Sequence, residues 1–137
     1  MGATVSYRTE FEAAYIQNSE LNAHRYKLEV TVGGDDRYAS KQQVLDYKVL
    51  GEYVRRIVPD KHWLVSSDQS EKEKSVADMM RSFGIHVVTF PYPLCIERLC
   101  EGIAFELQDI FDRHEPGVHV TEVRLRETAD SFATWSR

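Results

Sequence analysis

The segment SELNAHRYKLEVTV, residues 19–32, alternates apolar and polar side chains from Tyr26 onward. This period of two is typical of a β-strand that buries one face. Asn22 and His24 fall on the same face as Tyr26, because side chains two residues apart in a strand point the same way. A metal site carried by this strand would need two histidines on that face, and the segment contains only His24.

The composition favours one compact domain, which we expect to span residues 1–137. The 17 basic and 22 acidic residues give a formal net charge of −5 without a basic stripe, which argues against a nucleic-acid partner. No apolar run reaches the length of a membrane span, and the first residues lack the pattern of a signal peptide. We therefore expect a cytoplasmic protein that does not enter membranes.

The remaining patterns predict strands at both ends of the chain and helices between them. Alternation over residues 4–16 predicts a first strand that pairs with the strand at 24–32. Helical spacing predicts one helix that ends before Pro59, a charged helix over 71–83 closed by Gly84, and a long helix from Ile96 to about His114. Further strands are predicted at 85–90, 118–127 and 131–135. Because strands and helices are segregated, we expect an α+β fold with an antiparallel sheet backed by helices.

The two cysteines, Cys95 and Cys100, are five residues apart in a segment with helical spacing. Side chains at that separation leave a helix on different sides, so the pair suits neither a disulfide nor a shared metal ion. We expect both thiols to pack as small buried side chains.

Six short motifs follow one another along the chain: FEAAY at 11–15, NAHRY at 22–26, VLDY at 44–47, PDKHWL at 59–64, IERL at 96–99 and RET at 126–128. They resemble, in the same order, the motifs FxAAH, HGHNY, VxDF, LDHxxL, xENL and xET of the 6-pyruvoyl tetrahydropterin synthase and 6-carboxytetrahydropterin synthase family. The resemblance covers nearly the whole chain, apart from an expanded segment between Ser66 and Pro93.

The resemblance implies the tunnelling fold. In that fold a four-stranded antiparallel sheet carries helices on one face, three sheets close into a twelve-stranded barrel, and two trimers stack. Closure removes the open sheet edges of the single subunit. We therefore expect a homohexamer.

The resemblance also implies a zinc site of three histidines, and this chain departs from it. The matching positions hold Tyr15, Asn22 and His24. An amide is a poor zinc ligand, a tyrosine must ionise to bind the metal, and one imidazole cannot hold it alone. We expect no zinc at these positions and no cofactor, with His24 as the remnant of the site.

The family's catalytic base is replaced as well. The position of its cysteine holds Asn18, whose amide cannot accept a proton near neutral pH. Some relatives use a glutamate one residue later; that position holds Ser19, and Glu20 follows it. A shift of one residue in this loop would let Glu20 take the role.

The Asp-His pair of the LDH motif corresponds to Asp60 and Lys61. A lysine with the ordinary pKa of about 10.4 cannot replace histidine as a base. His62 is an alternative if the loop shifts. The polar groups left for a different reaction are Lys61, Asp60, Tyr15 and His24, and Lys61 could form a Schiff base with a carbonyl ligand.

The part of the family pattern that binds the heterocycle is retained. Glu127 and Thr128 match the pterin anchor, in which a carboxylate accepts hydrogen bonds from the ring N–H and the exocyclic amine. Glu97 matches a second pterin contact, although Cys95 and Ile96 stand where relatives have threonines. The predicted substrate-binding residues are therefore Glu127, Thr128, Glu97 and Cys95.

Three functional hypotheses follow from these residues. The first is a zinc-free family member that binds a pterin, purine or deazapurine and does not catalyse the family reaction. The second is a non-catalytic ligand sensor or scaffold of the same fold. A third hypothesis keeps the original activity through Glu20 and a loosely bound metal.

Overall fold

The structure is a computed structural model that describes residues 3–34 and 45–137. Its elements, in chain order, are β1 (Thr4–Gln17), β2 (Glu20–Gly34), α1 (Tyr47–Ile57), β3 (His62–Ser66), α2 (Glu71–Ser82), β4 (Val87–Phe90), α3 (Ile96–His114), β5 (Val118–Arg126) and β6 (Phe132–Ser136). The predicted helices and strands are present, and β2 begins four residues earlier than predicted. Val44 of the VLDY motif lies outside the described residues.

The described strands form one sheet in the order β4-β3-β1-β2-β5-β6. β1 and β2 form a long antiparallel hairpin, from the pair Thr4 and Gly33 to the pair Gln17 and Glu20. The predicted α+β class is confirmed, but the prediction of a four-stranded antiparallel sheet is wrong. Two more strands extend it beyond β1, and β3 runs parallel to both β1 and β4. The segment that forms β3 is short and apolar on both faces, so it shows no alternation that would reveal a strand.

A two-residue turn connects β1 to β2. Asn18 and Ser19 have φ angles of 52° and 64°. Positive φ at both central residues is the geometry of a type I′ hairpin turn, which matches the twist of the two strands. The turn fixes the register of the hairpin, so it also fixes which side chains of β1 and β2 lie side by side.

The main core lies on one face of the sheet, here called the inner face, where it is covered by α1 and α3. Alternate residues of β1, β2 and β5 point into it. Its most buried members include Tyr15, Tyr26, Leu28, Val30, Val123, Leu125, Leu50, Leu107 and Phe111.

α2 packs on the opposite face of the sheet, here called the outer face. Trp63 and Val65 of β3 form a second buried cluster with Ala77 of α2, whereas Leu64 between them belongs to the main core. Alternate residues of a strand point to opposite faces, so the prediction that the helices share one face is wrong. α2 belongs to the expanded segment, which the family motifs do not cover.

Side chains cap two of the described helices. Asp46 accepts a hydrogen bond from the backbone N–H of Lys48 (2.7 Å), and Ser70 accepts one from Glu73 (3.2 Å) at the start of α2. Gly84, with φ of 81°, follows α2 in the left-handed conformation that glycine adopts without strain. In the described part of the chain, no helix combines the length and the apolar character needed to cross a membrane.

The predicted location of the two cysteines is half right. Both are free thiols, and Cys100 is buried in α3, where its Sγ donates to the carbonyl of Val123 (3.1 Å). Cys95, by contrast, is the N-cap residue of α3 and is only partly buried. The helix begins at Ile96 as predicted, so Cys95 lies at its start and not within it.

Candidate functional site

The hairpin brings the three positions that match the family's zinc ligands together on the inner face. Tyr15 pairs directly with Asn22, and Ala13 pairs with His24. The three side chains therefore occupy neighbouring places at one end of the sheet, as the resemblance implies. The arrangement of the backbone is preserved, so the capacity to bind a metal depends on the side chains themselves.

These side chains do not fit a zinc ion. Tyr15 is buried, and this burial is the main reason why the pKa of its hydroxyl rises to about 12, so the phenol stays protonated near neutral pH. The Asn22 amide donates to the backbone carbonyl of Glu20 (3.2 Å). His24 is paired with a carboxylate. Within the described ranges, no group of three or more His, Cys, Asp or Glu side chains is arranged to hold a metal.

The carboxylate that partners His24 belongs to Glu127, the predicted pterin anchor. His24 Nε2 lies 2.9 Å from Glu127 Oε1, and the Glu127 side chain is only 12% exposed. Glu127 follows directly after β5, and its backbone N–H donates to the carbonyl of Ser131 (2.9 Å). The backbone hydrogen bond of Glu127 therefore holds the acid in place. His24 is the polar partner that a nearly buried carboxylate requires.

Aromatic rings form one wall of this site. Tyr26 is fully buried and stacks on Phe11, with ring centroids 5.2 Å apart, and it meets His24 edge to face at 5.9 Å. Burial raises the pKa of the Tyr26 hydroxyl, and the interactions with Tyr15 and Glu127 raise it further. Two neutral phenols and a carboxylate therefore share a poorly hydrated space, in which a charge-assisted hydrogen bond to Glu127 is stronger than in water.

The start of α3 faces the same cluster. Burial raises the pKa of the Cys95 thiol, and a hydrogen bond with Glu97 raises it further. Cys95, Glu97 and Glu127 all raise the pKa of Tyr15, so all three act on the same phenol. The structure thus gathers three of the predicted substrate-binding residues around Tyr15, with the exposed Glu97 nearest to solvent.

Thr128 lies in the turn between β5 and β6 and is exposed. Its Oγ1 accepts hydrogen bonds from the backbone N–H groups of Asp130 (3.3 Å) and Ser131 (3.1 Å). This arrangement is the local turn bond that threonine commonly makes. Thr128 therefore shapes the turn that holds Glu127, and its predicted contact with a ligand stays a prediction.

Asp60 and Lys61 lie beside β1, apart from the Glu127 cluster. Asp60 Oδ1 accepts a hydrogen bond from the backbone N–H of Glu12 (2.9 Å), and the Lys61 N–H donates to the Glu12 carbonyl (2.5 Å). Lys61 has φ of 61° and an exposed side chain. Lys61, His62 and His24 border an open depression of about 510 Å³. Asp60 has a structural role here, and the catalytic roles of both residues stay predictions.

The alternative base Glu20 lies at the tip of the hairpin, beside Asn18 and Ser19, and all three are exposed. The turn contains no extra residue, since Gln17 pairs directly with Glu20. The one-residue shift that would move Glu20 into the predicted position is therefore absent from this hairpin.

Sequence reasoning missed a pair of histidines at the start of β3 and β4. The rings of His62 and His86 lie 4.5 Å apart, and Nδ1 of His62 is buried without a hydrogen-bond partner among the described residues. Burial is the main cause that lowers the pKa of His62, and His86 lowers it further. The two residues are distant in sequence, so only the pairing of β3 with β4 reveals their contact.

We predict that this histidine pair makes stability depend on pH. The pKa of His62 is lower in the folded chain than its ordinary value of about 6.5. The unfolded chain therefore takes up a proton first, so stability is fully present above about pH 6.5 and falls as the pH drops through the folded pKa. Thermal unfolding followed from pH 8 to pH 5 measures this loss. A His62→Gln variant should show a flatter profile, and an unchanged profile would contradict the assignment.

Comparison with known proteins agrees with the fold. The family profile of 6-pyruvoyl tetrahydropterin synthase matches residues 4–137. A Plasmodium vivax 6-pyruvoyltetrahydropterin synthase with a substituted catalytic residue is similar in structure, with a TM-score of 0.71, 18% identity, and coverage of 98% of this chain and 97% of that one. An uncharacterized protein from Wolinella succinogenes has a TM-score of 0.75 and 13% identity, with 98% of both chains covered.

A third similar structure is the Plasmodium falciparum 6-pyruvoyl tetrahydropterin synthase, with a TM-score of 0.66, 16% identity, and coverage of 98% of this chain and 97% of that one. No curated protein sequence matches the chain. At these identities the solved structures establish the fold, and the family profile extends over almost all of the sequence. The chain therefore belongs to the 6-pyruvoyl tetrahydropterin synthase family.

Proposed function

We propose that this protein is a family member without the family's zinc centre that binds a pterin-like ring, namely a pterin, purine or deazapurine, at Glu127. In this proposal the chain does not catalyse the family reaction. The N–H and amine groups of the ring would donate to the carboxylate.

The observation that carries the proposal is the state of Glu127. Its side chain is 12% exposed and lies 2.9 Å from His24. A carboxylate so far removed from water is costly unless donors face it. The His24 nitrogen supplies one donor position, and a 2-amino-4-oxo ring edge would supply two at matching spacing. A ligand of this class would therefore replace the imidazole and satisfy both carboxylate oxygens.

The residues around Glu127 support binding without the family chemistry. Two of the three zinc positions hold a protonated phenol and an amide, and the base position holds Asn18 at an exposed turn. Asp60 is bonded to the backbone of Glu12. None of these groups near neutral pH moves a proton as the cysteine and histidine of the family pattern would.

Calorimetric titration of the purified protein with neopterin, biopterin and guanine tests the proposal. We expect saturable binding by at least one of them and no turnover of the bound compound over hours. The titration should be run after treatment with a chelator, because binding that requires added zinc would contradict a pocket independent of the metal. Absence of binding by all three ligands would overturn the proposal.

The second candidate is a non-catalytic sensor or scaffold, which the His24–Glu127 pair also favours. A carboxylate that already has a partner needs no ligand to be stable in the folded chain. Turnover of any pterin excludes this candidate, whereas binding alone is compatible with it as a sensor. If no ring compound binds, the scaffold becomes the better explanation.

The proposal includes assembly into a homohexamer through closure of three sheets into a barrel. Open edges in the described sheet, at β4, at β6 and along residues 4–11 of β1, support it, because unpaired strand edges favour pairing with another chain. Light scattering should give six times the mass of one chain, and a monomer would contradict it. A cytoplasmic location and the absence of a nucleic-acid partner stay predictions from the sequence.

A further inference from the structure

We propose that His62 and His86 form a site for a divalent transition-metal ion, at a place different from the zinc position of the family. The two residues precede the first pair of the parallel β3–β4 ladder, Trp63 and Val87. The Trp63 N–H donates to the His86 carbonyl (2.9 Å), which holds the two backbone segments together. The strand pairing thus brings two imidazoles together from elements that are far apart in sequence.

The distance between the rings fits two ligands of one ion. The ring centroids of His62 and His86 are 4.5 Å apart, and the planes are inclined by 58°. A metal–nitrogen bond of about 2.0–2.1 Å places each ring centre about 3.2 Å from the metal. When the nitrogen–metal–nitrogen angle lies between a right angle and the tetrahedral angle, the centres of two such rings are about 4.5–5.2 Å apart. The observed spacing falls at the lower end of that interval.

The state of the imidazoles also suits a metal. Nδ1 of His62 is buried and has no hydrogen-bond partner among the described residues, which leaves a polar atom unsatisfied.

The charges around the pair are mixed. The negative charge of Asp60 favours the protonated form of His62. The neighbouring Lys61 carries a positive charge on an exposed side chain. β4, which directly follows His86, carries no charged residue over Val87–Phe90. Imidazole ligands suit zinc, nickel and copper rather than magnesium or calcium. Since no third side chain of the kinds that bind metals joins the described pair, water would fill the other positions and the ion would exchange readily.

This site is separate from the positions of the family's zinc. His62 pairs with Ala13 of β1, and Ala13 pairs with His24 of β2. Two strand spacings therefore separate His62 from His24, about 10 Å between backbones. A metal at the β3–β4 edge would tie the outermost strand to the sheet and would leave Glu127 and His24 paired with each other.

Zinc titration of chelator-treated protein without a histidine tag tests the inference. We expect one zinc ion per chain by calorimetry, and at least tenfold weaker binding in His86→Ala and in His62→Gln. His86 is exposed, so its replacement should leave the fold intact even if the His62 variant fails to fold. Ring ¹⁵N resonances of the unmodified protein should shift on zinc addition for these two histidines together.

A matched control variant completes the experiment. His114→Ala removes an exposed histidine at the end of α3. It should bind zinc as the unmodified chain does. Absence of saturable binding, unchanged affinity in His86→Ala, or loss of binding in His114→Ala would each overturn the proposal. Pterin titrations use metal-free protein, so they succeed or fail independently of this result.

Discussion

Replacement of Glu127 by glutamine should weaken the binding of a pterin-like ligand by about 100-fold or more. The amide keeps the size of the side chain but offers one acceptor and one donor where the ring presents two donors. Each hydrogen bond to a charged group contributes about 1.5–3 kcal/mol, and about 1.4 kcal/mol corresponds to tenfold in affinity. Loss of the charge, together with one mismatched hydrogen bond, accounts for the expected decrease in ligand affinity. Calorimetric titration with the ligand that binds best measures it.

The matched control is Glu122→Gln, a change of the same kind on β5, the strand that leads to Glu127. It should leave affinity unchanged within about twofold, since a surface substitution away from the site alters energies by about 0.5 kcal/mol or less. Equal affinities of the Glu127 variant and the unmodified protein would place the ligand elsewhere. Circular dichroism should show that both variants are folded, because glutamine can still donate to or accept from His24.

Replacement of Phe111 by alanine should lower the free energy of unfolding by about 3–5 kcal/mol, the range for a fully buried phenylalanine. Phe111 in α3 is completely buried and meets Tyr53 of α1 edge to face, with centroids 5.5 Å apart. Its ring therefore joins the two helices that cover the inner face. Domains of this size are stable by about 5–15 kcal/mol, so the loss is a large fraction of the total. Urea unfolding, with an unchanged slope, measures it.

Phe105→Ala provides the comparison on the same helix. Phe105 is 57% exposed and touches Trp135 at a centroid distance of 6.0 Å. We expect a loss below about 1.5 kcal/mol, which is the upper value for an aromatic pair beyond burial. Similar losses for the two variants would mean that the interface between α1 and α3 does not carry the stability assigned to it.

The sequence was informative about the fold wherever periodicity was long. β1, the hairpin and α3 extend over many residues with a clear period, and their bounds are close to those predicted. β3 is a run of five residues, HWLVS, that is buried on both faces. Periodicity cannot distinguish such a run from a loop or a helix fragment. For the same reason the sequence did not predict the position of α2. The face of the sheet that α2 covers depends on the side of β3 against which it packs.

The sequence predicted which residues belong to the candidate site, but it did not predict which of them are in contact. Motif order placed Tyr15, His24, Cys95 and Glu127 in the same region, and the structure brings them together. The direct contact of His24 with Glu127 joins β2 to the end of β5, and no local pattern contains that information. No sequence motif marks His86. Its contact with His62 arises only through the pairing of β3 with β4, which the sequence does not show.

β3 also limits how the free side of β1 can meet another chain. β3 occupies the free side of β1 at residues 13–15, while residues 4–11 of that side have no strand partner in the described part of the chain. A strand from a neighbouring copy, such as the short β6, would slide along β1 only until it met β3. β3 would then act as a stop that selects one register between subunits, so loss of its pairing with β1 should permit misaligned assemblies.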